Sequence, residues 1–173
     1  MVLLHSDNMN ENFVAPSFSL VSALDGITYN YNDVSGSKAT IVMFICNHCP
    51  YVCKIVKDLV IDLQKFETDS LGIVAIMSND VKQYPDDSFE KMKIFGQKYN
   101  FFFPYLFDAI QDVARSYGAV CTPDFFLFGR ENKLKYRGRY ENNELCDAVK
   151  EVLQNDCVIK KQNNSVGCSI KWF

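Results

Sequence analysis

Three cysteines and a histidine crowd into one short run, Cys46-Asn47-His48-Cys49-Pro50-Tyr51-Val52-Cys53. Thiols attack disulfides and bind metals as thiolates, so their reactivity depends on what lowers their pKa. The run follows Ala39 to Ile45, an unbroken apolar stretch rich in β-branched residues that predicts a buried central strand. It leads into Val52, Ile55, Val56, Leu59, Val60, Leu63 and Phe66, whose spacing predicts an amphipathic helix. Proline suits the first helical position, so Pro50 places Cys49 at the helix N-terminus. There the unpaired N–H groups and the helix dipole stabilise a thiolate. Cys46 and Cys53 flank it, and either could close a disulfide with Cys49 or resolve a mixed disulfide formed there. Closing Cys49 with Cys53 would distort a regular helix, which favours Cys46. His48 either adds positive charge beside the thiol or sits exposed.

Seven cysteines in all, an odd number, are Cys46, Cys49, Cys53, Cys121, Cys146, Cys157 and Cys168. With 48% apolar residues the chain can build a core without a disulfide framework, so clustered cysteines point to catalysis or metal. Zinc on Cys46, His48, Cys49 and Cys53 has suitable donor types. Those residues straddle one strand–helix junction with no second ligand pair, so no metal and no bound cofactor are expected. Cys146 lies beside an apolar helix face and reads as structural.

A net charge of −3 offers no basic face for nucleic acid. No apolar run approaches the roughly 20 residues that span a bilayer, so no membrane partner is expected. The segment 1–12 lacks the basic and long apolar regions of a signal peptide, which predicts a cytoplasmic, reducing setting.

The elements around the cysteines alternate. Phe13–Leu20 and Ile27–Tyr31 flank the turn signal Asp25-Gly26 and predict a β-hairpin. Leu71–Met77 reads as a second buried strand. A helix begins at Asp87-Ser88-Phe89-Glu90. Pro104–Phe107 reads as a short strand, and Gln111–Tyr117 as a short helix stopped by Gly118. Asp124–Phe128 and Lys133–Tyr140 read as two strands joined by a turn at Gly129, and Asn143–Leu153 as the last helix. The whole predicts one α/β three-layer domain over 1–173, with 1–12 a mobile arm and 156–173 a tail.

The strand–Cys-Pro–helix unit resembles the thioredoxin superfamily. Ala15-Pro16-Ser17-Phe18-Ser19-Leu20 resembles the entry of its peroxiredoxin and TlpA-like branch, and Cys121-Thr122-Pro123-Asp124-Phe125-Phe126 resembles the loop carrying that superfamily's cis-proline. With Phe103–Asp108 and Gly167-Cys168-Ser169-Ile170-Lys171-Trp172, nearly the whole chain is similar to AhpC/TSA-type thiol–disulfide oxidoreductases. The resemblance implies a thioredoxin-like fold: a central mixed sheet flanked by helices, with the N-terminal hairpin as an extension. It implies Cys49 as the attacking thiolate, with Cys46 or Cys53 resolving. Thr122 and Pro123, with His48 and Pro50 nearby, would contact an extended substrate. Cys121 and Cys168 are auxiliary candidates. The substrate would be a protein or small-molecule disulfide, and electrons would come from an external thiol reductant.

Departures from the family pattern leave alternatives open, among them a non-catalytic thioredoxin-fold binding module in which Cys49 titrates as an ordinary thiol. Peroxide reduction would want a threonine where Cys46 stands and a proline where Val42 stands, with Arg115 or Arg137 as the polarising arginine. A Sco-like copper site would want a histidine downstream of the cysteines, and the chain's two histidines are His5 and His48. Thioredoxin's buried aspartate is replaced by Met43, so proton transfer would fall to His48, water, Asp80 or Asp124.

Overall fold

The computed structural model describes residues 3–7, 10, 12–66, 68, 70–160 and 162–173. Its frame is a seven-stranded mixed sheet. Ala39–Phe44 (β4) lies parallel to Leu71–Met77 (β5), which lies parallel to Tyr105–Phe107 (β6). On the other side β4 pairs antiparallel with Asp124–Phe128 (β8), which pairs antiparallel with Leu134–Gly138 (β9). A hairpin forms around Asp25-Gly26 as Ser19–Ser22 (β2) and Thr28–Asn30 (β3), but its first arm starts six residues later than the expected Phe13–Leu20, with Val14 making only an isolated bridge to Lys133; β2 extends the sheet by pairing with β6. Its second arm is shorter than expected because Tyr31–Val34 turns into a short helix (α1) capped by Asn30 and Asp33.

All six residues of β4 are buried, which is why that strand reads as an uninterrupted apolar run. Alternate residues serve opposite faces. Ile41 and Met43 pack under Pro50–Gln64 (α2) and Glu144–Asn155 (α5), with Val56, Leu59, Val149 and Val152. Val42 and Phe44 pack on the other face with Phe126, Phe128 and Tyr117 of Asp112–Tyr117 (α4). Gly118 ends α4 at φ +63°, a conformation glycine reaches without strain. Phe89–Lys98 (α3) is capped by Ser88, whose Oγ accepts from the Lys91 N–H at 3.4 Å. Among the described residues, no helix is long and apolar enough to cross a membrane.

A second, three-stranded sheet joins parts of the chain that the sequence reads as an arm, a loop and a tail. Leu3–His5 (β1), within the segment expected to be a mobile arm, pairs antiparallel with Val166–Ser169 (β10). In turn β10, within the expected tail, pairs antiparallel with Cys121–Thr122 (β7). Both are short, and the polar and small residues around them carry no period-2 signal. They form because each supplies the backbone partners the other lacks.

Candidate active site

The strand β4 ends against the start of α2, and this junction fixes Cys49. It is the N-cap of α2 with Pro50 in the first turn, as the sequence predicts. Cys49 is 0% exposed, Cys46 1% and Cys168 2%. The Sγ atoms of Cys49 and Cys168 are 3.1 Å apart, too far for an S–S bond of about 2.05 Å and close enough for direct contact. Cys46 shares a hydrogen bond with the Thr122 hydroxyl at 3.4 Å. The Thr122 carbonyl lies 3.2 Å from Cys49 Sγ and accepts from it while Cys49 is protonated. The Thr122–Pro123 peptide is cis.

These neighbours set the thiol electrostatics. Cys49 is held down at about 4, first by a hydrogen bond from Cys46, against the cost of burial, and further by Cys168, the Val52 N–H of the first turn and Thr122. Cys46 is pushed well above its ordinary value, chiefly because it is the donor to Cys49. Cys168 is pushed up to about 12, by burial first and then by its bond to Cys49. The three sulfurs thus share one negative charge, localised on Cys49.

Cys53 is placed differently. It is exposed, its Sγ turned to the carbonyl of Asn47 at 3.3 Å. Partial desolvation and the nearby Cys49 thiolate raise it. Cys121 is buried behind the loop on β7, and desolvation lifts its thiol far above the ordinary range.

The loop between β4 and α2 is held by Asp87, which is fully buried. Its carboxyl group accepts from the Asn47 backbone N–H at 2.8 Å, from His48 Nδ1 at 2.7 Å and from Asn79 Nδ2 at 2.7 Å. His48 stacks on Tyr84 at 5.5 Å, and its bond to Asp87 raises its pKa despite some desolvation. Asn47 is fixed a second time, its Oδ1 accepting from the Tyr105 hydroxyl at 3.0 Å. Sequence reading places Asp87 at the start of α3 and misses this role. Its partners lie on other elements, and nothing in the local spacing announces them.

Other expected participants are committed elsewhere. Arg115 lies over the Trp172 ring at 4.5 Å. Arg137 bonds Asp124 at 2.9 Å and the Gly118 carbonyl at 2.7 Å. Asp124 is buried and raised to about 6 by desolvation, against the pull of Arg137. Asp80 caps a turn through the Lys82 N–H at 2.9 Å. Met43 occupies the apolar cluster that includes Cys46 and Cys49. For a metal, the donor atoms of Cys46, His48 and Asp87 lie within 4.8 Å of one another, a set that overlaps the sequence-based zinc set only in Cys46 and His48.

With this geometry in hand, the comparisons with known proteins are informative. The AhpC/TSA family model matches residues 12–137. A search of curated proteins finds no match. Among solved structures, an uncharacterized conserved protein from Geobacillus kaustophilus is 38% identical with a TM-score of 0.96, covering 100% of this chain and 97% of that one. A hypothetical protein from Sinorhizobium meliloti 1021 is 37% identical with a TM-score of 0.90, covering 98% of each chain. A thiol:disulfide interchange protein of the thioredoxin family from Chlorobium tepidum is 21% identical with a TM-score of 0.67, covering 84% of this chain and 99% of that one, and shares the thioredoxin fold.

Proposed function

This chain belongs to the AhpC/TSA family, and from its cysteine centre we propose that it is a thiol–disulfide oxidoreductase with Cys49 as its nucleophile and Cys46 as its resolving thiol. The observation that carries this reading is the position of Cys49 at the N-cap of α2, its sulfur 3.1 Å from Cys168 and 3.2 Å from the Thr122 carbonyl, surroundings that pull its thiol down to about 4. Such a thiol is ionised throughout the physiological range. Cys49 attacks a sulfur of a substrate disulfide, and the substrate's second sulfur leaves as a thiolate. Cys46 then attacks Cys49, forming a Cys46–Cys49 disulfide and releasing the second product.

The choice of Cys46 over Cys53 rests on orientation and charge. Cys53 is exposed and faces the Asn47 carbonyl, whereas Cys46 is buried with its thiol as a hydrogen-bond donor to Cys49. The chief cause of the raised Cys46 value is its bond to the Cys49 thiolate. That charge vanishes once Cys49 is held in a mixed disulfide, so Cys46 becomes easier to ionise when it is needed. His48, whose pKa is raised by its bond to Asp87, is the side chain of this loop suited to give a proton to a leaving sulfur. Thr122 and Pro123 line the substrate side of Cys49, with Pro50 behind it.

A stabilised thiolate favours the reduced enzyme over its disulfide, so the Cys46–Cys49 disulfide formed in the cycle is readily reduced again. An external thiol reductant then restores the enzyme by opening that disulfide. Peroxide reduction is the weaker reading, since Arg115 and Arg137 are occupied on Trp172 and Asp124. The test is exchange with a dithiol/disulfide couple, followed by mass mapping of the oxidised protein. A Cys46–Cys49 bond and an equilibrium potential above roughly −200 mV are expected. Faster consumption of hydrogen peroxide than of disulfides would overturn the assignment.

A further inference from the structure

Resting on the reading of Cys49 as the nucleophile, the geometry points to Cys168 as an internal substrate sulfur: β10 is a tethered pseudo-substrate strand, seated on β7 and exchanging with Cys49. Four observations place it there. Cys168 stands opposite Thr122 in the antiparallel β10–β7 register, so the backbone edge beside Cys49 is occupied by the chain itself. The Cys168 sulfur lies 3.1 Å from that of Cys49. Strand pairing holds both neighbours of this contact, since Ser169 pairs with Cys121 and Gly167 pairs with Leu4 of β1, and the Ile170 N–H beyond donates to the Val120 carbonyl at 2.9 Å. The fourth observation is Gly167. A Cβ there would sit 2.0 Å from the Thr122 carbonyl oxygen and 2.6 Å from its carbon. Both are backbone atoms that cannot turn aside, so only glycine before the cysteine lets the strand lie this close.

An external disulfide-bearing peptide that presents an extended segment to Cys49 meets the same edge, and so competes with β10 for it. The small residue preceding Cys168 then sets a preference, namely glycine immediately before the substrate cysteine.

The exchange step is balanced without an outside oxidant. Cys49 enters bonded to Cys46 or to a substrate sulfur. Cys168 loses its proton to solvent and attacks Cys49 Sγ. The Cys49–Cys168 bond forms, the earlier bond breaks, and the displaced sulfur leaves with the electron pair and takes up a proton. One disulfide is consumed and one is formed. The product ties the C-terminal strand to α2 and closes the site until an external thiol reopens it.

The test uses the full chain carrying C46S, so that Cys46 cannot resolve, together with C46S/C168S and C46S/G167A. Each is treated with oxidised glutathione, quenched by alkylation and mapped by mass spectrometry. C46S is expected to give a linked Cys49–Cys168 peptide. C46S/C168S is expected to stall as the Cys49–glutathione adduct. In C46S/G167A the strand is displaced, and closure slows by roughly tenfold or more as the two sulfurs lose their enforced proximity. Stalling of C46S at the adduct, with Cys168 fully alkylated, would overturn the internal-substrate role while leaving Cys49 as nucleophile. Absence of any glutathione on Cys49 in all three variants would overturn both. Should G167A fail to fold, the contrast between C46S and C46S/C168S decides alone.

Discussion

Cys49 and Cys121 are equally buried and flank the same Thr122 residue, yet their thiols lie at opposite extremes. Cys49 has a hydrogen bond from Cys46, a contact with Cys168 and the first turn of α2 to stabilise its charge. Cys121 lies on the short strand β7 with Asp124 as a neighbour of like charge to its thiolate, and desolvation decides its state. Burial is common to both, so burial is not what makes a thiol reactive here. The number of donors aimed at the sulfur is.

Removing the proposed nucleophile should break this contrast most completely. Cys49→Ser is expected to drop disulfide exchange to the uncatalysed background, whereas Cys121→Ser leaves it unchanged; both are read in a dithiol exchange assay. Next in size is the donor itself. Alkylation rate against pH should give a Cys49 midpoint near about 4 in the wild type, and Cys46→Ala should move it up toward the ordinary thiol value of roughly 8.5. Cys121 should resist alkylation in the folded protein throughout that range.

The same charge appears in stability. A thiol near 4 when folded and about 8.5 when unfolded contributes stability that is full above the unfolded value and lost as pH falls through 4. Reduced wild type should therefore gain stability over Cys49→Ser as pH rises from 4 to about 8.5, measured by urea unfolding. Asp124, raised to about 6, works in the opposite sense between its unfolded value and 6, and the comparison with Cys49→Ser cancels it.

A smaller effect tests the support beneath the loop. Asp87→Ala strands three buried or half-buried donors, on Asn47, His48 and Asn79. It should cost about 2–4 kcal/mol in chemical denaturation and lower the His48 titration followed by NMR. The smallest change is expected from Cys53→Ser, which should leave the exchange rate within about twofold. A large loss there would transfer the resolving role from Cys46 to Cys53.

Much of this was legible from residue order because the decisive signals are local. The apolar run of β4, the helical spacing after Tyr51 and Pro50 at the junction mark Cys49 within one window of chain. Asp87 was illegible for the opposite reason. It reaches Asn47 across 40 residues and His48 across 39, and its sequence neighbours suggest only a helix start. The strand β10 was hidden by brevity: four residues with a glycine and two serine or cysteine positions carry no strand pattern, and its partners β1 and β7 are as short. Such strands exist only through pairing, which a linear pattern does not encode.

The contact between Cys49 and Cys168 spans 119 residues of sequence, and that separation is also a separation in time. Synthesis runs from the amino end, so a growing chain displays its helix-start thiol well before the strand that covers it has been made. During that interval the nucleophile has a cellular environment rather than an internal neighbour, and the last strand to emerge is the one that ends its exposure.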